Sequence, residues 1–262
     1  MSTVDKMRGF GIDATVSVDV ASEVASLVER AGYSSFWVNG SPHQGALDIL
    51  DAAAERTSLD LGVGVFPLTK ISASALVTAV TKRGLPQDRL WLGVGSGRKT
   101  GALADVRQAV HTIRSGLNVT VTTGAVGPKM TALAGEVSDA VIFTWSIAAE
   151  VERNRTILGQ AAEAAHREPP TVVSFIRCGL LPQAAEAVAQ RAKAYSAIPH
   201  YQAVFDRHGM TASDTVVTGS SRGQLAPSIA REEKALDISI IRAIPADNTF
   251  DSLAELVTAC AP

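Results

Sequence analysis

Glycines collect at the ends of strand-like runs, where backbone can come close to a ligand. RLWLGVGSG (89–97) ends in Gly95, Ser96 and Gly97, with Arg98 next. Small residues there would let a flat ring or a polyol chain lie on the backbone. Arg98 could meet a carboxylate or phosphate with its forked donors, or could serve as a solvated turn arginine. TVTTGAVGPK (120–129) runs through Gly124, Ala125, Val126, Gly127, Pro128 and Lys129 into a helical pattern. A glycine loop entering a helix offers unpaired N–H groups and a positive dipole end to an anion. Pro128 suits the first helical turn because no donor is needed there, and Lys129 could add charge. The plain alternative is a tight strand-to-helix turn. Thr144, Trp145 and Ser146 close another strand-like run, where Trp145 either flanks a ligand or seals the end of the sheet.

Two arginines interrupt apolar strands, Arg177 in SFIRCG and Arg242 in IIRAIP. Burying a guanidinium unpaired is costly, so each must reach a ligand's anion, a carboxylate or an open mouth. His43 is the titratable group of the loop after the second strand-like run, and imidazole can exchange protons near neutral pH. A loop histidine without chemistry fits that position too. His111, His166, His200 and His208 lie in helical segments without metal-ligand spacing, and Trp37 and Trp91 read as packing. Cys178 and Cys260 also lack metal spacing and read as buried thiols.

Strand-like and helix-like segments alternate along the whole chain. Strands are expected at 8–15, 33–40, 59–68, 89–97, 118–126, 140–146, 171–181 and 237–246. Helices are expected at 17–32, 46–58, 72–84, 101–116, 128–139, 148–167 and 252–260, with a longer interrupted helical stretch over 183–235. In 17–32 the apolar residues Val20, Val24, Leu27, Val28 and Ala31 recur every three or four positions, one face of a helix. Eight strands alternating with helices predict an α/β fold closed into one (β/α)8 TIM barrel spanning 1–262, with an open doubly wound sheet as the rival.

Composition narrows the function. Of 262 residues, 46% are hydrophobic and 19% charged, ample for a large core. The net charge of −2 and the scattered basic residues argue against nucleic-acid binding. No apolar run approaches the roughly 18 residues of a membrane helix, and MSTVDKMRGFG lacks a signal-peptide core, so a cytoplasmic protein without a membrane partner is expected.

AGYSSFWVN, ERTSLDLGVGVFPL, DRLWLGVGSG, GPKMTALAGEVSDAVIFTW and YSAIPHYQAVFDRHGM, in this order, resemble the bacterial luciferase-like monooxygenase superfamily. The likeness is greatest to the branch that uses coenzyme F-420, a deazaflavin. The resemblance implies a barrel with the ring of the coenzyme in its mouth, a small-molecule substrate, no metal, and a homodimer. It also implies a non-proline cis peptide at Gly64-Val65 supporting the ring, with Gly95 to Arg98, Gly124 to Lys129, Thr144, Trp145 and Arg177 holding the remainder. The implied activity is hydride transfer between F-420 and a small organic molecule. An FMN-dependent monooxygenase and a non-catalytic flavin-binding barrel are the alternatives.

The sequence departs from this family twice. Asn39 and Gly40 stand where many F-420 enzymes carry an acidic residue and a histidine, leaving His43 as the displaced nominee for acid–base work. Only about thirty residues, room for one helix and one strand, separate GVGSG from GPK, where the family usually inserts a longer segment over the substrate. A more open mouth favours a deazaflavin, a hydride carrier, over a flavin that must be shielded from oxygen.

Overall fold

The computed structural model describes residues 7–97 and 100–262. Eight parallel strands close a ring. They are β1 (Met7–Ile12), β2 (Ser35–Val38), β3 (Asp60–Pro67), β4 (Leu90–Gly95), β5 (Thr120–Gly124), β6 (Ala140–Phe143), β7 (Thr171–Leu180) and, last in the chain, β9 (Ile238–Ala243). Neighbours in sequence pair around the barrel, β6 pairs with β7, and β9 joins β7 to β1 with Phe10 beside Ile241. The predicted closed barrel is therefore present, and the open sheet is excluded.

A ninth strand, β8 (Val216–Gly219), falls within the stretch read as helical in the sequence. It takes the edge of β7 from Arg177 to Leu180, beyond the point where β6 ends at Phe143 and Ser174. Four residues suffice because β7, at ten residues, outruns its neighbour.

The helices follow from local signals. In α1 (Val18–Arg30), Ser17 accepts from the Val20 N–H and so caps the first turn, while Val24, Ala25 and Val28 face the sheet. Ser72 caps α3 (Ala73–Arg83) in the same way, and Gly84 at φ +67° ends it in the left-handed conformation. Outside the barrel also lie α2 (His43–Arg56), α4 (Ala102–Gly116), α5 (Pro128–Val137), α6 (Ala148–Ala164), α9 (Arg222–Glu233) and α10 (Phe250–Ala259). A single helix, α4, connects β4 to β5. Two more, α7 (Ala185–Ser196) and α8 (Pro199–His208), stand between β7 and β8.

The main core fills the layer between strands and helices. A smaller cluster of Trp37, Ile142, Val173, Phe175 and Ile240 fills the barrel interior, with Trp91 packed against it at 6.0 Å from Trp37. Both tryptophans thus serve packing. Among the described residues no helix is long and apolar enough to cross a membrane, and no cluster of potential metal ligands forms.

Candidate active site

The carboxyl ends of the strands open on a cavity of about 830 Å³. Its floor is set by a break in β3. Register with β4 slips between Val63 and Phe66, and the Gly64-Val65 peptide within the slip is cis, as the resemblance implies. Val65 there turns over three glycines. A Cβ on Gly93 or Gly95 would come within 2.9 Å of its methyl groups, and one on Gly124 within 3.1 Å. On Gly64 a Cβ would meet Phe175 at 2.6 Å and Ile142 at 2.7 Å. This bulge therefore needs small residues on three strands at once.

Gly40 closes the same packing from β2. A Cβ there would fall inside the Val65 carbonyl and lie 2.6 Å from the Phe66 nitrogen. Gly40, where the resemblance implies a histidine in many of the enzymes, is here a spacer, too tight for any side chain. Asn39 is equally committed. Its Oδ1 accepts from the Ala14 N–H at 2.7 Å, and its Nδ2 donates to the Ser41 carbonyl at 2.8 Å.

Around this floor the cavity is lined by Gly64, Val65, Gly95, Ser96, Gly97, Gly124, Ala125, Val126, Gly127, Thr144 and Arg177, all singled out in the sequence. Pro128 and Lys129 line an adjoining hollow between the amino ends of α4 and α5, which Gly127 shares. The α5 helix starts at Pro128 with no side chain capping it, and Gly127 at its amino end lines the cavity. Arg98 lies outside the described residues. His43 opens α2 half-buried and is not part of the cavity lining. Trp145 is buried beneath the lining, with its backbone in the left-handed region at φ +53°.

Across the mouth the lining turns basic. Arg177 and Arg242 are direct neighbours on β7 and β9, and Arg191 reaches in from α7. Asp13 accepts from Arg242 at 3.0 Å and from Arg191 at 3.1 Å. Burial works to raise the Asp13 carboxyl, but Arg242 and Arg191 outweigh it and hold the pKa below 3.8. The Arg177 guanidinium lies 3.9 Å above the Trp145 ring, and the Tyr195 ring, packed against Trp145, is 5.5 Å from it. Its Nη2 donates to the Thr144 hydroxyl at 2.7 Å, and its Nη1 is buried without a partner. Burial pushes Arg177 down to about 9, which leaves it cationic at neutral pH.

Asp13, Arg191, Tyr195 and Tyr201 were not singled out in the sequence. Arg191 and Tyr195, four apart, share one face of α7, a spacing visible in AEAVAQRAKAYS. Asp13 gave no comparable signal, since its partner Arg242 lies 229 positions away. His208, read as a surface residue, is half-buried and bonded through Nε2 to Glu150 at 2.7 Å.

No known family profile matches the chain. A 5,10-methylenetetrahydromethanopterin reductase from Methanolobus tindarius is 25% identical, with 77% of this chain and 75% of the relative covered. The coenzyme F-420 dependent tetrahydromethanopterin reductase of Methanopyrus kandleri superposes with a TM-score of 0.78 at 14% identity, covering 98% of both chains. An F-420-dependent secondary alcohol dehydrogenase, solved with an F-420–acetone adduct, superposes with a TM-score of 0.75 at 16% identity over 97% of this chain and 98% of the other. The sequence is thus similar to that of a methylenetetrahydromethanopterin reductase, and the barrel has the fold of F-420-dependent enzymes of the luciferase-like kind that its own motifs resemble.

Proposed function

We propose that the chain is an oxidoreductase that binds coenzyme F-420 in the barrel mouth and exchanges a hydride there with a small organic substrate. The observation that carries this reading is the β3 bulge at Gly64 and Val65, raised on Gly93, Gly95 and Gly124 at the floor of an 830 Å³ cavity. The bound deazaflavin supplies the hydride chemistry. Gly64 and Val65 would support the ring with their backbone. Gly95 to Gly97 and Gly124 to Gly127 would hold the coenzyme's chain and its anionic tail, with Lys129 adding charge. Arg98, next in sequence after Gly97, is a further candidate for the anionic tail.

Among the described residues the lining holds no carboxylate and no imidazole. The proton that accompanies the hydride would exchange with a phenol of the lining, Tyr195 or Tyr201, or with water at the rim, where Ser41 and Gly97 are exposed. His43 takes no part in this scheme. The plugged, non-catalytic barrel fits less well, because Phe66 and Trp145 are packed below the cavity and leave it open.

Quenching of coenzyme fluorescence tests the reading. Purified protein is expected to bind F-420 in the micromolar range or tighter and to bind FMN much more weakly. Binding of FMN alone would favour the monooxygenase, and binding of neither would sink the redox assignment.

A further inference from the structure

The basic side of the mouth carries more positive charge than the described residues neutralise. Arg177 and Arg242 are Cα partners in neighbouring strands and both line the cavity, a pairing of like charges that costs stability. Arg191 adds a third cation to the same lining. Among the described residues, the ion pairs of these three arginines go to Asp13, which holds Arg242 and Arg191. Arg177 has no ion-pair partner among them, although the chain as a whole has a net charge of −2. Its buried Nη1 lacks even a neutral acceptor.

That guanidinium is also held from two directions. Its carbon sits 3.9 Å over the Trp145 ring, and Thr144 takes one of its two terminal nitrogens. Trp145 is itself held in a left-handed backbone conformation, which a bulky residue adopts only where its surroundings impose it. A planar fork so held suits a planar, two-oxygen anion. Phe175, Ile142, Tyr195 and Tyr201 beside it offer apolar surface for the body of the same molecule.

We propose that Arg177 is a substrate-binding residue that takes the carboxylate of a small organic acid with an apolar body. This deepens the oxidoreductase reading and rests on it for the word substrate. The coenzyme also carries anionic groups, but the function proposed above gives these the loop from Gly124, which packs on Val65, to the amino end of α5. In the ring order β4 and β5 are separated from β7 and β9 by β6 on one side and by β1, β2 and β3 on the other. A coenzyme whose tail follows the glycine loops leaves the arginines for the second reactant.

Calorimetric titration of the full chain with benzoate, benzamide and inorganic phosphate, without F-420 and at saturating F-420, tests the assignment. Benzoate is expected to bind in both states, and benzamide at least about tenfold more weakly, because the neutral amide forfeits the charge-assisted bonds. Arg177→Met is expected to weaken benzoate by a similar factor and to leave F-420 affinity unchanged. Arg177→Lys, which keeps the charge and loses the fork, should fall between them and guards against a folding defect in the methionine variant.

Benzoate affinity indifferent to both substitutions would overturn the proposal, as would the absence of benzoate binding to the wild-type protein. Tighter binding of phosphate than of benzoate would overturn the carboxylate class. Loss of F-420 affinity in Arg177→Met, with benzoate displaced by F-420, would assign the arginine to the coenzyme tail instead. Should F-420 fail to bind while benzoate binds through Arg177, the redox reading falls and the carboxylate site stands.

Discussion

Gly40 shows how one missing side chain constrains the chemistry. Its backbone packs directly on the Val65 carbonyl, so any Cβ there must displace the β3 bulge and not merely another side chain. Gly40→Ala is expected to destabilise the protein by about 1–3 kcal/mol, the usual cost of overpacking. It should also weaken F-420 binding, measured by urea denaturation and coenzyme titration on the same variant. Unchanged affinity would mean that the bulge does not support the ring. Asp13 is the second residue whose loss has a definite sign. Asp13→Asn leaves Arg242 buried beside Arg177 with no counter-charge, at a cost of about 3 kcal/mol at neutral pH. The Asp13 pKa is lowered in the folded protein, so its contribution is complete above 3.8 and is lost as pH falls through the folded value. The stability gap between wild type and Asp13→Asn should therefore close on acidification below that value. A gap that stays constant into that range would show that Asp13 does not carry the cluster.

At the scale of elements, α7 and α8 form a unit over the basic side of the mouth. Phe205, Ala192 and Ala212 pack around Trp145, and Tyr195 stacks on Trp145 at 4.4 Å and meets Tyr201 edge-on at 5.2 Å. The unit is tied to α6 through Glu150, whose buried carboxylate accepts from Arg207 at 2.9 Å and bonds His208 at 2.7 Å. Glu150→Gln is expected to cost about 2 kcal/mol, as for hydrogen bonds to a charged group, and to raise amide exchange in 185–208 above that in the barrel strands. Uniform exchange across both regions would show that the tie is not what holds the unit down. This unit also marks where the sequence stopped being legible. Strands β1 to β7 and β9 were readable because each is a buried apolar run between helix-period segments. β8 was not, since VVTG is four residues long and owes its strand conformation to the overhang of β7. The glycine sites were legible from composition, because close backbone approach requires glycine. The Arg177–Trp145 stack and the Asp13 bridge were not, since both depend on which side chains closure brings together.

The whole molecule depends on the seam at which the last strand meets the first. Below the β1–β9 pairing, Arg8 donates to both carboxylate oxygens of Glu233 at 2.7 and 2.8 Å and to the carbonyls of Cys260 and Ala261 at 2.9 and 3.0 Å. Glu233 also accepts from Ser239 at 2.7 Å, so one arginine joins β1, the end of α9, β9 and the C-terminal residues. Burial works to lower the Arg8 pKa, but the bond and charge of Glu233 outweigh it and raise it above the usual arginine value. Arg155 and Asp237 form a comparable bridge at 2.8 Å near the start of β9, but there both side chains are more than a third exposed. Solvent screens that exposed pair and not the buried one. Arg8→Met should therefore lower stability by about 3 kcal/mol, whereas Arg155→Met should cost less than about 1 kcal/mol. Urea denaturation followed by tryptophan fluorescence and by circular dichroism would read both. Equal losses for the two variants would mean that the closing seam is held by strand pairing and packing alone, with Arg8 contributing no more than an exposed ion pair.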